Sequence, residues 1–366
     1  MAALPTEFSP GALEDALGAA LAALPPGLVQ RATWLDLPSN RAPWTATGLE
    51  LTADAAVTWF AAGASEVAPL PGLRFRAGLQ IWARVGASEV FRGTRASHSF
   101  RAPAAGGLAF ASYFPGEWVD RMGQSSVPAE AYAMMKGGFR ILVVEWAAGV
   151  TPVEGVRALA ATGRGGSPVT AELERLERPV SPPPGWEYLW YLGPAEIYSS
   201  VGPGAAAIAC HTRDDVGILH YDTPLPFLPG TRLDWSWCIE TLPSKIAEDT
   251  MPTHDYLSIA VEFDNGQDLT YFWSAELPVG KVFRCPLPNW AQRETHQVVR
   301  SGTAELGRWF DESQDLYADY ANALGTPPGH ILRVWLIAVS IFQRGEGKAA
   351  YRGIRLANGA GEHRLA

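Results

Sequence analysis

Short segments in which apolar and polar residues alternate are the feature that most restricts the fold of this chain. Residues 233–239 (LDWSWCI) and 256–263 (YLSIAVEF) alternate in this way, and the turn sequence Asp264-Asn265-Gly266 follows the second. Side chains on a β-strand point alternately to opposite faces, so each segment is predicted to be a strand with one buried face. The chain has 37 glycines and 29 prolines among 366 residues. Short strands joined by many turns are typical of β-sandwiches and barrels.

Helical patterns are fewer. Residues 10–24 are rich in Ala and Leu and predict an N-terminal helix, and the charged residues 171–178 predict another near the middle of the chain. Apolar residues recur at helical spacing across 306–324, where we expect one helix. Residues 331–342 form a nearly continuous apolar run, which indicates a central strand buried on both faces.

Charge and cysteine content exclude several classes of protein. The net charge is −9 and the basic residues are scattered, so neither nucleic acid nor an anionic membrane surface is expected as a partner. Three cysteines without tight spacing argue against a disulfide framework and against a zinc knuckle. The first residues lack the basic start of a signal peptide, which predicts a cytoplasmic location.

Three short motifs in the first half of the chain point to a known fold. They are residues 44–49 (WTATGL), 99–103 (SFRAP) and 115–118 (PGEW). With them, residues 44–146 resemble the bacterial galactose-binding lectin family, which implies a β-sandwich. That family holds calcium, and through it a sugar, with acidic and amide side chains around the Pro-Gly loop. Here residues 112–114 (SYF) precede the loop, and none of them is an Asp or Asn. Calcium takes about six to eight oxygen ligands, so no calcium is expected.

Other motifs in the second half support a second resemblance. They include residues 233–237 (LDWSW), 269–273 (LTYFW) and 306–309 (LGRW). On these motifs, residues 232–355 resemble an uncharacterised bacterial family known only as a domain of unknown function. Such domains look similar to carbohydrate-binding jelly rolls. The resemblance therefore implies a fold and no reaction.

The patterns and resemblances together predict a mostly-β protein with two β-sandwich domains and a few short helices. The predicted parts are an N-terminal helix (1–28), a lectin-like β-sandwich (29–150), a linker with a short helix (151–184), a jelly-roll domain with the candidate site (185–358) and a tail (359–366).

Histidines and carboxylates concentrate in the second predicted domain. A His-Asp pair directly precedes the strand 256–263, and Glu294 and His296 form another polar cluster. A carboxylate beside a histidine is a common arrangement for proton transfer, with pKa values adjusted by burial. If these groups converge in one hollow, they form an acid–base site; otherwise they join loops by hydrogen bonds. The predicted catalytic residues are His254, Asp255, Glu262, His220 and Asp222.

A metal site is the alternative use of such side chains. His220 with Asp222 and His254 with Asp255 are metal-ligand types. However, a His-x-His spacing is missing, and the ligand set would have to come from distant loops. No metal ligand and no cofactor is therefore assigned from the sequence.

Aromatic residues are unusually frequent in the same domain. Tryptophan and tyrosine line sugar sites because they combine an apolar face with a polar edge; the alternative is that they fill the sandwich interior. An arginine in this region is suited to holding an anionic group. The predicted substrate-binding residues are Trp235, Trp237, Tyr256, Tyr271, Trp273 and Arg300.

The sequence thus favours an enzyme that needs no cofactor. We expect a hydrolase, or a lyase or isomerase that works by proton transfer, acting on a small polar or ring-containing substrate in the C-terminal jelly roll. The alternatives are a non-catalytic carbohydrate-binding protein and a structural protein that binds a partner. Self-association into a homo-oligomer is a further expectation.

Overall fold

A computed structural model describes residues 9–41, 43–66, 73–113, 118–202, 204 and 206–366. The chain divides into two compact units, one of Met1–Pro179 with Trp190–Pro194 and the other of Val180–Leu189 with Ala195–Ala366. Strands dominate both units, which confirms the predicted mostly-β fold. Residues 1–8, used above for the cellular location, and residues 115–117 of the lectin-like motif lie outside the described residues.

The first unit contains a five-stranded sheet in the order β1-β9-β3-β4, with β7 also paired to β3, and a four-stranded sheet in the order β2-β8-β5-β6. Its elements are α1 (Pro10–Ala22), β1 (Val29–Pro38), β2 (Trp44–Leu51), β3 (Ala56–Glu66), β4 (Arg74–Arg76), α2 (Ala77–Gln80), β5 (Ile81–Val85), β6 (Phe91–Arg92), β7 (Ser97–Arg101), β8 (Gly106–Ser112), α3 (Ala129–Ala133), β9 (Lys136–Trp146), α4 (Pro152–Ala161) and α5 (Gly166–Glu177).

Three helices cover one face of the five-stranded sheet. Leu13 and Leu17 of α1, Val156 of α4 and Val169 of α5 are buried together with residues of β3 and β9. Apolar stripes at helical spacing provide this contact. The segment predicted as a linker with a short helix, residues 151–184, contains the two helices α4 and α5, and its residues up to Pro179 group with the first unit.

The second unit contains a seven-stranded sheet in the order β10-β13-β20-β15-β16-β18-β17 and a six-stranded sheet in the order β11-β12-β21-β14-β19, with β22 paired to β21. Its elements are β10 (Glu187–Tyr188), β11 (Tyr198–Val201), β12 (Ala207–Arg213), β13 (Val216–Pro226), β14 (Arg232–Thr241), β15 (Tyr256–Phe263), β16 (Asp268–Ser274), β17 (Val282–Arg284), β18 (Glu294–Ser301), β19 (Trp309–Asp315), α6 (Leu316–Leu324), β20 (His330–Val339), β21 (Glu346–Asn358) and β22 (Gly361–Arg364).

The core of the second unit combines apolar side chains of both sheets. Leu257, Ile259 and Val261 of β15 are buried there with Trp235 and Trp237 of β14. The seven-stranded sheet therefore has an inner face in this core and an opposite, outer face. The strand predicted across 331–342 is observed as β20, the third strand of that sheet.

The helix expected across 306–324 is shorter than predicted. Residues Trp309–Asp315 form β19, which pairs antiparallel with β14, and only Leu316–Leu324 are helical. Side chains of β19 alternate between more and less exposed positions, as strand geometry requires. Asp315 begins the helix by accepting a hydrogen bond from the Ala318 N–H at 3.0 Å. Pairing with a neighbouring strand thus outweighed the helical spacing in the sequence.

No helix among the described residues has both the length and the apolar character needed to span a membrane.

Candidate functional site

The outer face of the seven-stranded sheet carries an unusual number of polar side chains. Alternation places Tyr256, Ser258 and Glu262 of β15 on this face, as the sequence predicted. All eight residues of β15 are nevertheless buried. Two covering segments, residues 242–255 and 275–293, contribute side chains that contact this face, such as His254 against Tyr256 and Arg293 against Trp335; the second segment includes the edge strand β17.

Four side chains with metal-ligating chemistry converge on the outer face, and we call them the four-residue centre: His254, Cys285, Glu294 and His296. One ligand atom from each lies within 4.8 Å of the others. The His254 Nε2 and Cys285 Sγ atoms are 3.3 Å apart, and the His296 Nε2 and Glu294 Oε1 atoms are 3.4 Å apart. All four residues are buried.

Three different parts of the chain supply these residues. His254 follows a short helical turn, Met251–Thr253, and lies just before β15, while Cys285 follows β17. Glu294 and His296 are two residues apart on β18 and therefore point to the same face. Each covering segment thus supplies one residue of the centre, and β18 supplies the other two.

Neighbouring groups fix the orientation of the centre. The Nδ1–H of His254 donates a hydrogen bond to the backbone oxygen of Glu248 at 2.7 Å, which leaves Nε2 with a lone pair directed at the centre. The Glu248 carboxylate accepts a hydrogen bond from the Ala275 N–H at 2.7 Å. The Tyr256 hydroxyl donates to Glu294 Oε1 at 2.9 Å.

Burial sets the protonation of the centre. It lowers the pKa of His254 to about 3, with a further lowering from the nearby His296 ring, so this imidazole is neutral at pH 7. For Glu294 burial acts to raise the pKa, but contacts with His296 and then His254 outweigh it and lower the pKa to about 2. Burial raises the pKa of the Cys285 thiol.

The five predicted catalytic residues do not converge in one hollow. Asp255 accepts hydrogen bonds from the Phe342 and Gln343 N–H groups at 3.0 and 2.7 Å, so it fastens a turn. Glu262 lies seven residues further along the chain, roughly 23 Å away at about 3.3 Å per strand residue. There it accepts a hydrogen bond from Arg333 at 3.0 Å.

The other two predicted catalytic residues lie near Glu262, away from His254. Asp222 accepts a hydrogen bond from Arg333 Nε at 2.9 Å, and His220 Nδ1 is 3.4 Å from Asp222 Oδ1. Arg333 is the cross-strand partner of both Glu262 and Asp222. His254 thus belongs to the four-residue centre, while Glu262, His220 and Asp222 belong to a charged margin of the same face.

Most of the predicted substrate-binding aromatics fill the sandwich interior. Trp235, Trp237, Tyr271 and Trp273 are almost completely buried in the core, and the Trp235 and Tyr271 rings stack with centroids 5.7 Å apart. They form no platform for a ligand. The physical reason is strand alternation, which points all four toward the opposite sheet.

The remaining two predicted substrate-binding residues have other contacts. Arg300 forms an ion pair with Glu312 and stacks on Phe310, with the guanidinium carbon 3.7 Å from the ring centroid. Tyr256 does reach the four-residue centre, through its hydrogen bond to Glu294. Only Tyr256 and His254 among the predicted site residues thus contact this centre.

Sequence reasoning did not join Cys285, Glu294 and His296 with His254. The Glu-x-His spacing on a strand was a usable signal, since it puts both side chains on one face. Cys285 carried no such signal, because it lies 31 residues from His254 along the chain and its neighbours resemble an ordinary loop.

A protein-family model matches part of the chain. Residues 185–355 match the model of a family described as a protein of unknown function, DUF3047. This agrees with the resemblance expected for the C-terminal half. No curated protein matches the chain.

Several solved structures are similar at low identity. The N-terminal domain of EclA, a PllA-like lectin, is 17% identical and covers 32% of this chain and 97% of its own, with a TM-score of 0.24. The xyloglucanase domain of NopAA from Sinorhizobium fredii, in complex with cellobiose, is 10% identical and covers 48% and 95%, with a TM-score of 0.31. A carbohydrate-binding module of the β-sandwich superfamily is 10% identical, covers 88% and 100%, and has a TM-score of 0.18. The function of this chain therefore has to be argued from its own residues.

Proposed function

We propose that the second unit binds one divalent transition-metal ion of the zinc class at the four-residue centre, and that this ion stabilises the sandwich. The observation that carries the proposal is the convergence of two imidazoles, a thiol and a carboxylate within 4.8 Å in a buried position. Such groups are rarely buried together without an ion, because each is costly to remove from water.

The chemistry of the donors favours zinc over calcium or magnesium. Zinc binds sulfur at about 2.3 Å and nitrogen or oxygen at about 2.0 Å in a tetrahedron, which corresponds to ligand–ligand distances of roughly 3.3 to 3.6 Å. The Nε2–Sγ and Nε2–Oε1 distances of 3.3 and 3.4 Å are close to these values. Calcium and magnesium prefer oxygen ligands alone.

Charge balance supports the same conclusion. A divalent ion with one thiolate, one carboxylate and two neutral imidazoles has no net charge, which suits a buried position. The Cys285 thiol gives up its proton when it binds such an ion. The hydrogen bond from His254 to the Glu248 backbone is the usual way to orient a metal-binding imidazole.

Four protein ligands close the coordination sphere, which is typical of structural rather than catalytic zinc. An ion at this position joins β18 to both covering segments, because His254 belongs to one segment and Cys285 to the other. The Lys281–Asp249 ion pair, with 2.6 Å between Nζ and Oδ2, already links the same two segments. The metal adds binding free energy to the folded state alone.

Elemental analysis of the purified full-length chain tests the proposal. We expect one zinc-class ion per chain, and we expect the Cys285→Ala and His296→Ala variants to lose most of it. Cys210→Ala is the matched control, because Cys210 is also buried but lies in the core, and its metal content stays unchanged.

Cobalt substitution gives an independent measurement. Cobalt bound at this centre produces the visible absorption of a tetrahedral site together with a thiolate charge-transfer band, and the Cys285→Ala variant removes that band. Failure of the wild-type chain to take up cobalt or zinc, or uptake that Cys285→Ala leaves intact, would contradict the proposal.

The enzyme expected from the sequence stays a prediction, as does the alternative carbohydrate-binding function. Their strongest remaining support is the charged margin of the outer face, where Glu262, Arg333 and Asp222 are in contact and the Asp222 and Arg333 side chains are 70% and 37% exposed. The cytoplasmic location also stays a prediction.

A further inference from the structure

Several buried polar atoms on the outer face lack hydrogen-bond partners among the described residues. They are Ser258 Oγ, Asp268 Oδ2, Arg293 Nε and Trp335 Nε1. Each buried polar group without a hydrogen-bond partner lowers the stability of the fold by about 1 to 3 kcal/mol. A native protein therefore rarely leaves several such groups together. An ion at the four-residue centre accounts for one of the two unpartnered ring nitrogens of His296, but it does not account for these four atoms.

Strand register brings these side chains around one small residue. Ala260 of β15 lies opposite Trp335 on β20 and opposite Thr270 on β16. Ser258 is two residues before Ala260, and Asp268 is the cross-strand partner of Glu262, two residues after it. Alternate residues of a strand share a face, so all of these side chains project from the outer face. Ala260 lies at the centre with only a methyl group, and the longer side chains surround it.

One side of this position is formed by tryptophan rings and an arginine. The Arg293 guanidinium carbon lies 4.9 Å from the Trp290 ring centroid and 5.5 Å from the Trp335 ring centroid. Arg293 Nη2 is 4.0 Å from Glu262 Oε1, and the Arg293 side chain is 31% exposed. Of the residues around this position, Arg293 is therefore one that also contacts solvent, at the charged margin.

The charges at this margin are already balanced. Arg333 hydrogen-bonds Glu262 at 3.0 Å and Asp222 at 2.9 Å, and Arg293 faces the other oxygen of Glu262, so two arginines meet two carboxylates. The unpartnered atoms comprise indole and guanidinium N–H donors, a hydroxyl and a carboxyl oxygen. A ligand that satisfies them must both donate and accept hydrogen bonds, and it gains from an apolar face that rests on indole.

We propose that this position is a binding site for a small neutral polyhydroxylated ligand of the monosaccharide class. Its hydroxyls accept from Trp335 Nε1 and Arg293 Nε, donate to Asp268 Oδ2 and share a hydrogen bond with Ser258 Oγ, and one ring face lies against the tryptophans. The partly exposed Arg293 side chain has to shift to admit the ligand, and its Nε–H then donates to the bound ligand. The site lies beside the metal centre, because Asp268 is the cross-strand partner of Glu294, but its ligand contacts include none of the four proposed metal ligands.

Calorimetric titration of the metal-replete full-length chain with D-glucose, D-galactose, D-mannose and D-xylose tests the site. We expect saturable binding of at least one of these sugars. Trp335→Phe keeps the ring and removes the N–H, and Ser258→Ala removes one hydroxyl; each is expected to weaken binding about tenfold, the loss of one hydrogen bond. Trp309→Phe, at an exposed position of the six-stranded sheet, is the matched control and leaves binding unchanged.

Two results overturn the inference. Absence of saturable binding for all four sugars shows that water alone satisfies these atoms, and binding that Trp335→Phe and Ser258→Ala leave unchanged places the sugar elsewhere. Circular dichroism of each variant verifies that it is folded. Metal content measured on the same samples keeps the two proposals distinguishable, because sugar binding is expected whether or not zinc is found.

Discussion

At the scale of single residues, neighbours rather than residue type decide what a histidine does. His254 donates to a backbone carbonyl through Nδ1 and faces a thiol through Nε2, which is the arrangement of a ligand. His220 lies beside a largely exposed aspartate at the charged margin. His98 of the first unit packs among aromatic rings, with its centroid 4.8 Å from that of Trp59. The sequence alone did not distinguish the roles of these three histidines.

The buried position of His98 leads to a pH-dependent stability. Burial, and then the charge of Arg175, lowers its pKa to about 3, whereas a histidine in an unfolded chain has a pKa of about 6.5. Above pH 6.5 both states are neutral. As the pH falls below that value the unfolded chain binds a proton that the folded chain does not, so stability decreases by up to about 1.4 kcal/mol per pH unit until about pH 3.

Urea unfolding of the wild type and of a His98→Phe variant, at pH 7 and pH 4.5, measures this effect. The variant is expected to lose less stability than the wild type between the two pH values, because phenylalanine cannot bind the proton. Equal losses in the two proteins would show that His98 is protonated in the folded state.

At the scale of elements, local patterns and pairing partners compete. The alternation across 256–263 became β15 with the expected faces, because a period of two suits only a strand. Helical spacing across 306–324 was overridden in its first part, since residues 309–315 add an outer strand to the six-stranded sheet beside β14. Whether a segment forms hydrogen bonds to a neighbouring strand depends on which strand lies beside it. The sequence of the segment does not determine that neighbour.

Two helical glycines provide a prediction at this scale. A Cβ added at Gly155 of α4 would lie 2.3 Å from the Trp146 ring, whereas nothing lies within 4 Å of one added at Gly18 of α1. Alanine is favoured over glycine in a helix by about 0.5 to 1 kcal/mol. Gly18→Ala is therefore expected to stabilise the first unit by that amount. Gly155→Ala is expected to destabilise it by about 1 to 2 kcal/mol, because overpacking costs more than the gain in propensity.

Chemical unfolding of both variants beside the wild type measures the difference. Stabilisation by Gly155→Ala to the same extent as Gly18→Ala would mean that α4 does not pack closely on Trp146.

At the scale of the whole molecule, stability resides in separate cores. One large core belongs to the second unit, and the first unit has its own clusters between its sheets and beneath its helices. Each unit is large enough to fold around its own core. The proposed metal centre lies only in the second unit, so its contribution to stability is confined there.

Calorimetry with a strong chelator tests this division. We expect two unfolding transitions, of which only that of the second unit moves to lower temperature when metal is removed. A site filled about a thousandfold above its dissociation constant adds about 4 kcal/mol, so the shift is roughly 10 °C for a unit of this size. Added zinc restores the transition, and the Cys285→Ala variant does not respond to chelator. Equal shifts of both transitions would contradict the assignment.

The sequence by itself determined the mostly-β class, the faces of the regular strands and the concentration of polar groups in the second half, because each depends on residues that are close together in the chain. The tertiary structure alone decided which of those groups meet. His254, Cys285 and His296 are brought together by the parallel pairing of β16 with β18, the addition of β17 at the edge and the two segments that cover the sheet. Contacts of this kind depend on strand order and loop path, which local periodicity does not encode.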